Sequence, residues 1–392
     1  MFYLLSNRNI YAPNFVRTIT HWVMTWATRQ RPRCPALGCA KQMEIRKVQK
    51  VGHSTLTVSL PRDWVEQVGL KQGNVVTMRR TDDGCLRLIP GLASDKAESM
   101  AARVNADLCK EHELLSRIIT GNYIEGRDSI VITSSKDLSS EHLWEIRSTV
   151  QRLMGLSIVE QTPRQVVIQS FVDPSKFPVS GLIQRLHRVG LSMQDAAMTA
   201  LLEKRQDIAG EVLQMENEAD RIYWLIVRQL ILATTKLSAA RDIGVVNPQH
   251  ALGNRIVSKY LECIADCAES EAKEVIGIKD EDYDKHKSVL DETTEMSKAV
   301  KLISENTMKA FVKLDVDLAN KSIEDGIRAQ TRNRKISEKI VDDVSNRNVA
   351  LAFRSIAWNL TETARYCQMI AEVTINRYLE EPTDLCDFKR SE

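Results

Sequence analysis

"YLECIADCAESEAKEV", residues 260–275, is the stretch on which the fold turns. Leu261, Ile264, Ala265, Ala268, Ala272 and Val275 recur three and four residues apart, the spacing of one face of a helix. Glu262 and Asp266 lie four apart on the same helix, so their carboxylates share a face. The pattern continues on both sides. From Ser180 to about Glu381 there is almost no strand signal. Long apolar-periodic runs are interrupted only near Gln206-Asp207, Val245–Pro248, Gly277–Asp282, Leu314-Asp315 and Ser345-Asn346. That predicts six helices, several near 30 residues, each about 45 Å long at the α-helical rise. Helices of that length joined by short turns make antiparallel bundles.

A weak internal repeat organises the six. "TALLEKRQDIAGEVLQME" (199–216) lines up with "KAFVKLDVDLANKSIEDG" (309–326), and the opening stretch lines up with "NLTETARYCQMIAEVT" (359–374). The helical region 180–381 therefore reads as two three-helix units, 180–278 and 283–381.

The first unit carries a second spaced acidic pair, Glu216 and Asp220 in "MENEAD". Two helices of one bundle, each presenting two carboxylates, would make an oxygen-rich cluster suited to a hard or borderline cation. A single pair of this kind is ordinarily a solvated acidic face; placement on two helices of one bundle raises the signal. At the aligned positions the second unit has Gly326, Gln330, Thr361 and Arg365, so a cation site of this kind is expected in the first unit only. No Glu-x-x-His motif supports a di-iron oxidase. Phosphate-binding glycine loops, nucleophile elbows and triad spacings are also missing, which argues against an enzyme. A metal-dependent hydrolase or redox bundle would need a base or nucleophile beside the carboxylates, and the sequence supplies none.

The front of the chain is different. Residues 1–90 hold 14 Lys and Arg against 5 Asp and Glu, while the whole chain is only +2, so a basic front precedes an acidic body. Within it, "VGHSTLTVSLPRDWVEQVGLKQGNVV" (51–76) alternates Leu56, Val58 and Leu60 with Thr55, Thr57 and Ser59, the mark of a strand. Pro61 then opens a short helix that Gly69 closes. With "EIRKVQKVG" before it, and "NVVTMRR" and "CLRLIP" around the turn Asp82-Asp83-Gly84 after it, residues 43–91 read as a β-β-α-β-β module. About 48 residues are few for a stable monomer, so a homodimer is expected. Residues 94–172 read as a small α/β domain: "SMAARVNADLCKEHELLSRIITGNY" as a helix, "SIVIT" as a strand, "SSEHLWEIRSTVQRLMG" as a helix capped by Ser139 or Ser140, and a hairpin around Pro163. Residues 1–42 lack acidic residues and pattern. They read as a leader, disordered or upstream of a true start at Met43. Eight scattered cysteines without a CxxC pair point to a reducing, cytoplasmic compartment, and no apolar run is long enough to enter a membrane.

Region 180–381 resembles PhoU, the phosphate-uptake regulator built from two three-helix repeats, on "YLECIADCAESEAKEV" and "MENEAD". The opening stretch of the β module, with its hydroxyl-rich strand, Pro-Arg helix start and Gly-Leu-Lys-x-Gly turn, resembles the SpoVT/AbrB family of swapped-hairpin DNA-binding barrels. The fold class expected is mostly α: tandem PhoU-like three-helix bundles preceded by a small swapped-hairpin β-barrel and a small α/β domain. The resemblance to PhoU implies a divalent or trivalent metal ion (iron, zinc or magnesium) on Glu216, Asp220, Glu262 and Asp266. Cys263 stands where that family usually has Arg. The AbrB resemblance implies DNA contacts from Arg46, Lys47, Lys50 and His53, with Arg79 and Arg80 on the second hairpin. The function expected is regulation of phosphate uptake and homeostasis by a dimeric, non-enzymatic transcription regulator with a metal-binding helical sensor. A phosphate-transporter ATPase or sensor kinase is a further expected partner. The competing expectation is an adaptor that acts on such a partner without binding DNA.

Overall fold

The computed structural model describes residues 45–52, 55–80, 85–91, 101–235, 237–278 and 286–387. They fall into two units that divide between Asp95 and Lys96. The front unit holds two hairpins. Strands β1 (Gln49–Val51) and β2 (Thr55–Thr57) pair antiparallel, Gln49 opposite Thr57. Strands β3 (Val76–Arg80) and β4 (Leu86–Pro90) pair likewise, Val76 opposite Pro90. Between them runs α1 (Arg62–Gln67). Pro61 stands at its N-cap, where the proline's missing N–H costs nothing, and Gly69 follows it at φ +67°. Among the described residues the hairpins remain separate two-stranded sheets, so the expected barrel is not closed within one chain. His53 and the turn 82–84 lie outside the described residues, as do residues 1–44.

The second unit begins with a four-stranded sheet of order β5-β6-β8-β7, made of β5 (Ala101–Asn105), β6 (Ser129–Thr133), β7 (Leu156–Thr162) and β8 (Gln165–Ser170). β5 and β6 are parallel and the other pairs antiparallel. Helices α2 (Leu114–Ile124) and α3 (Ser140–Arg152) share a core with it, built on Ile119, Ile130, Ile132, Ile146 and Ile168. Ser139 caps α3 as expected, its Oγ accepting from His142 N at 3.1 Å. One expectation fails here: residues 101–105 are a strand, not the start of a helix. Ala and Arg favour a helix locally, but Ala102 and Val104 turn inward in alternation and the backbone finds five partners along β6. Tertiary pairing outweighs a propensity difference of well under 1 kcal/mol per residue.

Six long helices follow: α4 (Val179–Glu203), α5 (Gln206–Thr235), α7 (Pro248–Gly277), α8 (Lys287–Lys313), α9 (Val316–Asp343) and α10 (Arg347–Tyr378), with a short α6 (Leu237–Asp242) that the sequence pattern did not signal. The repeat is visible in the caps. α4 ends on Lys204 and α8 on Leu314, both left-handed at φ 59° and 55°, and their spacing is that of the sequence repeat. α7 and α10 start on Asn247 and Asn346, whose side chains accept from His250 N and Asn348 N. The two units meet along α7 and α10, where Tyr260 stacks on Tyr366 at 5.8 Å and Asn359 donates to Ser270 Oγ at 2.9 Å. α4 and α8 add His187 Nε2 to Ser304 Oγ at 3.1 Å, and Lys301 to Asp195 at 2.6 Å.

The sheet layer is fastened to the first three-helix unit. Arg228 of α5 is 2% exposed and donates to Tyr123 O at 2.5 Å, Arg127 O at 3.1 Å and Asp128 Oδ1 at 3.4 Å, over the Tyr123 ring. Gly126 makes the approach possible. It sits at φ +77°, and a Cβ there would lie 2.5 Å from Leu232 of α5. No described helix is long and apolar enough to cross a membrane.

Candidate functional site

α5 and α7 pack side by side and bring their acidic pairs together. Glu216 and Asp220 come from α5, Glu262 and Asp266 from α7. Glu262 is buried at 8% exposure and ion-pairs with Lys259; the Cys263 thiol donates to Glu262 Oε2 at 3.5 Å. One donor atom each from Glu262, Cys263 and Asp266 lies within 4.8 Å of the others. Asp266 is open to solvent by area yet crowded by neighbouring atoms, so it is at once reachable and partly desolvated.

The electrostatics report the crowding. Desolvation, then the charges of Asp220, Glu269 and Asp266, push the Glu216 carboxyl up to about 7. Desolvation, then Glu262, push Asp266 up to about 6. Asp220 rises for the same two reasons, while Arg152 pulls it the other way, and it shares a hydrogen bond with Glu216. Burial opposes the charge on Lys259, but its bond to Glu262 holds it above the usual lysine range. Burial lifts the Cys263 thiol to about 11, so it stays a thiol at neutral pH. The five carboxylates Glu216, Asp220, Glu262, Asp266 and Glu269 outnumber the cations beside them, Lys259, Lys273 and Arg152. A donor set of carboxylate oxygens with such an excess fits a di- or trivalent cation.

Sequence reasoning found the four carboxylates but missed four participants. Glu269 is part of the cluster's field, and its spacing of three from Asp266 and seven from Glu262 could have revealed it. Lys259 and Lys273 are counter-charges, the first paired with Glu262 and the second with Glu269 at 2.7 Å. Arg152 comes from α3 of the sheet layer, and no local pattern could have announced it.

In the second unit the aligned positions hold no carboxylate pair. Gly326 leaves room for Gln368, which donates to Ile323 O at 3.1 Å and accepts from Gln330 at 3.1 Å. Arg365 pairs with Glu362 at 3.5 Å. A second grouping of donors, His112, Glu141 and Glu145, lies in the sheet layer. There Glu145 accepts from the N–H groups of Glu113 and Ser116 at 3.0 and 3.1 Å, satisfying the start of α2, so it is engaged structurally.

On the front unit Arg46 and Lys47 precede β1 and Lys50 lies on it, all three exposed; Arg79 and Arg80 fall on β3. His53 lies outside the described residues.

Residues 183–275 match the PhoU domain. Residues 49–94 match the family described as antidote-toxin recognition MazE, bacterial antitoxin. The helical region is PhoU-like and the front segment is of the MazE/AbrB antitoxin type. Two solved structures resemble the chain. The phosphate transport system regulatory protein PhoU from Streptococcus pneumoniae has 16% identity and a TM-score of 0.45, over 53% of this chain and 96% of its own. PhoU from Pseudomonas aeruginosa has 17% identity and a TM-score of 0.45, over 50% and 93%. No curated protein matches the sequence.

Proposed function

We propose that this chain regulates phosphate uptake and homeostasis as a dimeric, DNA-binding cytoplasmic regulator, with a cation held on the first PhoU-like unit. The observation that carries the reading is the convergence of Glu216, Asp220, Glu262 and Asp266 on the PhoU-matching segment. A divalent or trivalent ion, with iron, zinc and magnesium as the candidates, would be held by these four side chains beside Glu269. It would supply positive charge to a site that otherwise holds protons. Cys263 next to Glu262 would add a softer donor, favouring iron or zinc over magnesium, once the bound ion displaces its proton.

The dimer is supported by the front unit's surface. None of its described residues is buried, and Ile45, Leu56, Met78 and Leu86 are 91%, 69%, 67% and 59% exposed. So much uncovered apolar surface on a small β module asks for a second copy. Arg46, Lys47, Lys50, His53, Arg79 and Arg80 would then contact DNA, giving phosphate neutralisation and a strong dependence on salt.

A second reading, an adaptor docking to a transporter ATPase or sensor kinase without DNA, is favoured by one feature. The second unit exposes Val341, Leu351 and Trp358 at 81%, 60% and 54%. Fluorescence anisotropy on phosphate-transport promoter DNA separates the two readings. The full chain should bind with a steep salt slope. The combined variant Arg46→Ala, Lys47→Ala and Lys50→Ala should lose about 0.9 of slope for each phosphate contact removed. No salt-dependent binding by the unmodified chain favours the adaptor.

A further inference from the structure

A cavity of about 410 Å³ opens between α2 and α3 of the sheet layer and α5 of the first three-helix unit. Its size is that of a small-molecule site. Two of its walls matter here. One is polar, with Ser116, Thr149 and Arg152; the other is apolar, with Trp224 and Ile124. Asp220 lines it as well, so the cavity and the carboxylate cluster share one residue.

The polar wall is a built array. Thr149 Oγ1 donates to Glu145 O at 2.6 Å, which leaves Ser116 Oγ as the donor in its 2.7 Å bond to Thr149. Ser116 Oγ in turn accepts from Arg152 Nη2 at 3.1 Å. Ser116 and Thr149 are 6% and 1% exposed, so this short relay anchors one nitrogen of the exposed Arg152 guanidinium to the fold. Arg152 spends one of five N–H groups on it, and the remaining N–H groups can fork onto two oxygens of an anion such as a phosphoryl group. Arg117, the other cation of the cavity, is paired with Glu113 at 3.1 Å.

We propose that this cavity binds a small molecule bearing a phosphoryl group through Arg152, and that this anion and the cation of the neighbouring cluster bind cooperatively across Asp220. Without a cation, the Asp220 carboxylate repels an incoming anion and competes for Arg152. A cation takes up the charge of Asp220 and releases the guanidinium. Linkage then requires each ligand to raise the other's affinity by the same factor. The coupling rests on the cation reading above; the anion site does not. The Trp224 wall gives an ester with a flat apolar body an advantage over free phosphate.

Isothermal titration of the full chain with inorganic phosphate and with AMP, each with and without Mn²⁺, tests this. Mn²⁺ should tighten anion binding by at least about 10-fold, within the usual range of coupling between sites. Arg152→Gln should weaken the anion by at least about 10-fold at unchanged Mn²⁺ stoichiometry, with Arg152→Lys intermediate as a control for folding. In metal-free protein Asp220→Asn should tighten the anion. That arm tests the anion site even where Mn²⁺ does not bind, so failure of the cation reading is seen separately. AMP binding tighter than phosphate identifies an ester as the ligand; equal binding identifies free phosphate. Binding unaffected by Arg152→Gln, or no binding of either probe to any form, overturns the site. Bound Mn²⁺ that leaves anion affinity unchanged overturns the coupling.

Discussion

In the first three-helix unit Glu216, Asp220, Glu262, Asp266 and Glu269 lie together on α5 and α7; at the aligned positions the second unit carries Gly326, Gln330, Thr361, Arg365 and Gln368. The helices match in length and in their caps. Where the first unit concentrates charge, the second closes up: Gly326 admits Gln368 to the helix surface, and an amide network replaces the carboxylates. The same division holds for the sheet layer. Arg228, which fastens that layer, aligns with Glu338, an exposed residue paired with Arg334 on its own helix. A repeated scaffold has kept its helix ends, which every copy needs to satisfy backbone groups.

The largest difference should appear on removing Arg228. Arg228→Ala leaves two carbonyls and a carboxylate without their buried cation and is expected to cost about 3 kcal/mol. Glu338→Ala, at the aligned position, should cost about 0.5 kcal/mol or less. Chemical denaturation of both variants measures the contrast, and equal losses would break it.

A smaller contrast is opposite in sign. Gly326→Ala puts a Cβ about 2.6 Å from Gln368 Cγ and displaces the amide network. It should lower stability by about 1 kcal/mol despite the better helix propensity of Ala. Glu216→Ala, its counterpart, removes a crowded carboxylate and should raise the melting temperature of metal-free protein. Thermal melts in EDTA decide both signs.

The smallest effect is a pH slope. Glu216 and Asp266 keep protons to about 7 and about 6, where the unfolded chain has released them near 4 to 4.5. Stability from these groups is therefore present at low pH and is lost as pH rises through that window. Metal-free protein should melt progressively lower between about pH 5 and 7.5, and a saturating cation should flatten part of the fall. Glu271, fully buried at the α7–α10 seam near Cys267, pushes in the same direction and supplies the part a cation leaves unchanged.

The six long helices, their breaks and the repeat were legible because period, cap and break residues are local. The four carboxylates were legible for the same reason, since i and i+4 on a helix need no tertiary knowledge. Strand β5 was not: Ala101–Asn105 has helical composition and becomes a strand only because β6 lies beside it. Arg152 and Arg228 were not, because their partners are 68 and about 100 residues away in the chain. The front module was legible as strands and turns, but among the described residues its two hairpins stay separate sheets and the expected barrel is not closed.

Metal content of the full chain tests the central claim most directly. After loading with iron, zinc or magnesium and desalting, elemental analysis should find the ion bound by the unmodified chain. It should be lost from the double variant Glu262→Ala and Asp266→Ala while circular dichroism shows the helices intact. Substituting Thr361 and Arg365 by Ala in the second unit should leave the count unchanged. Full metal retained by the Glu262 and Asp266 double variant would contradict the account.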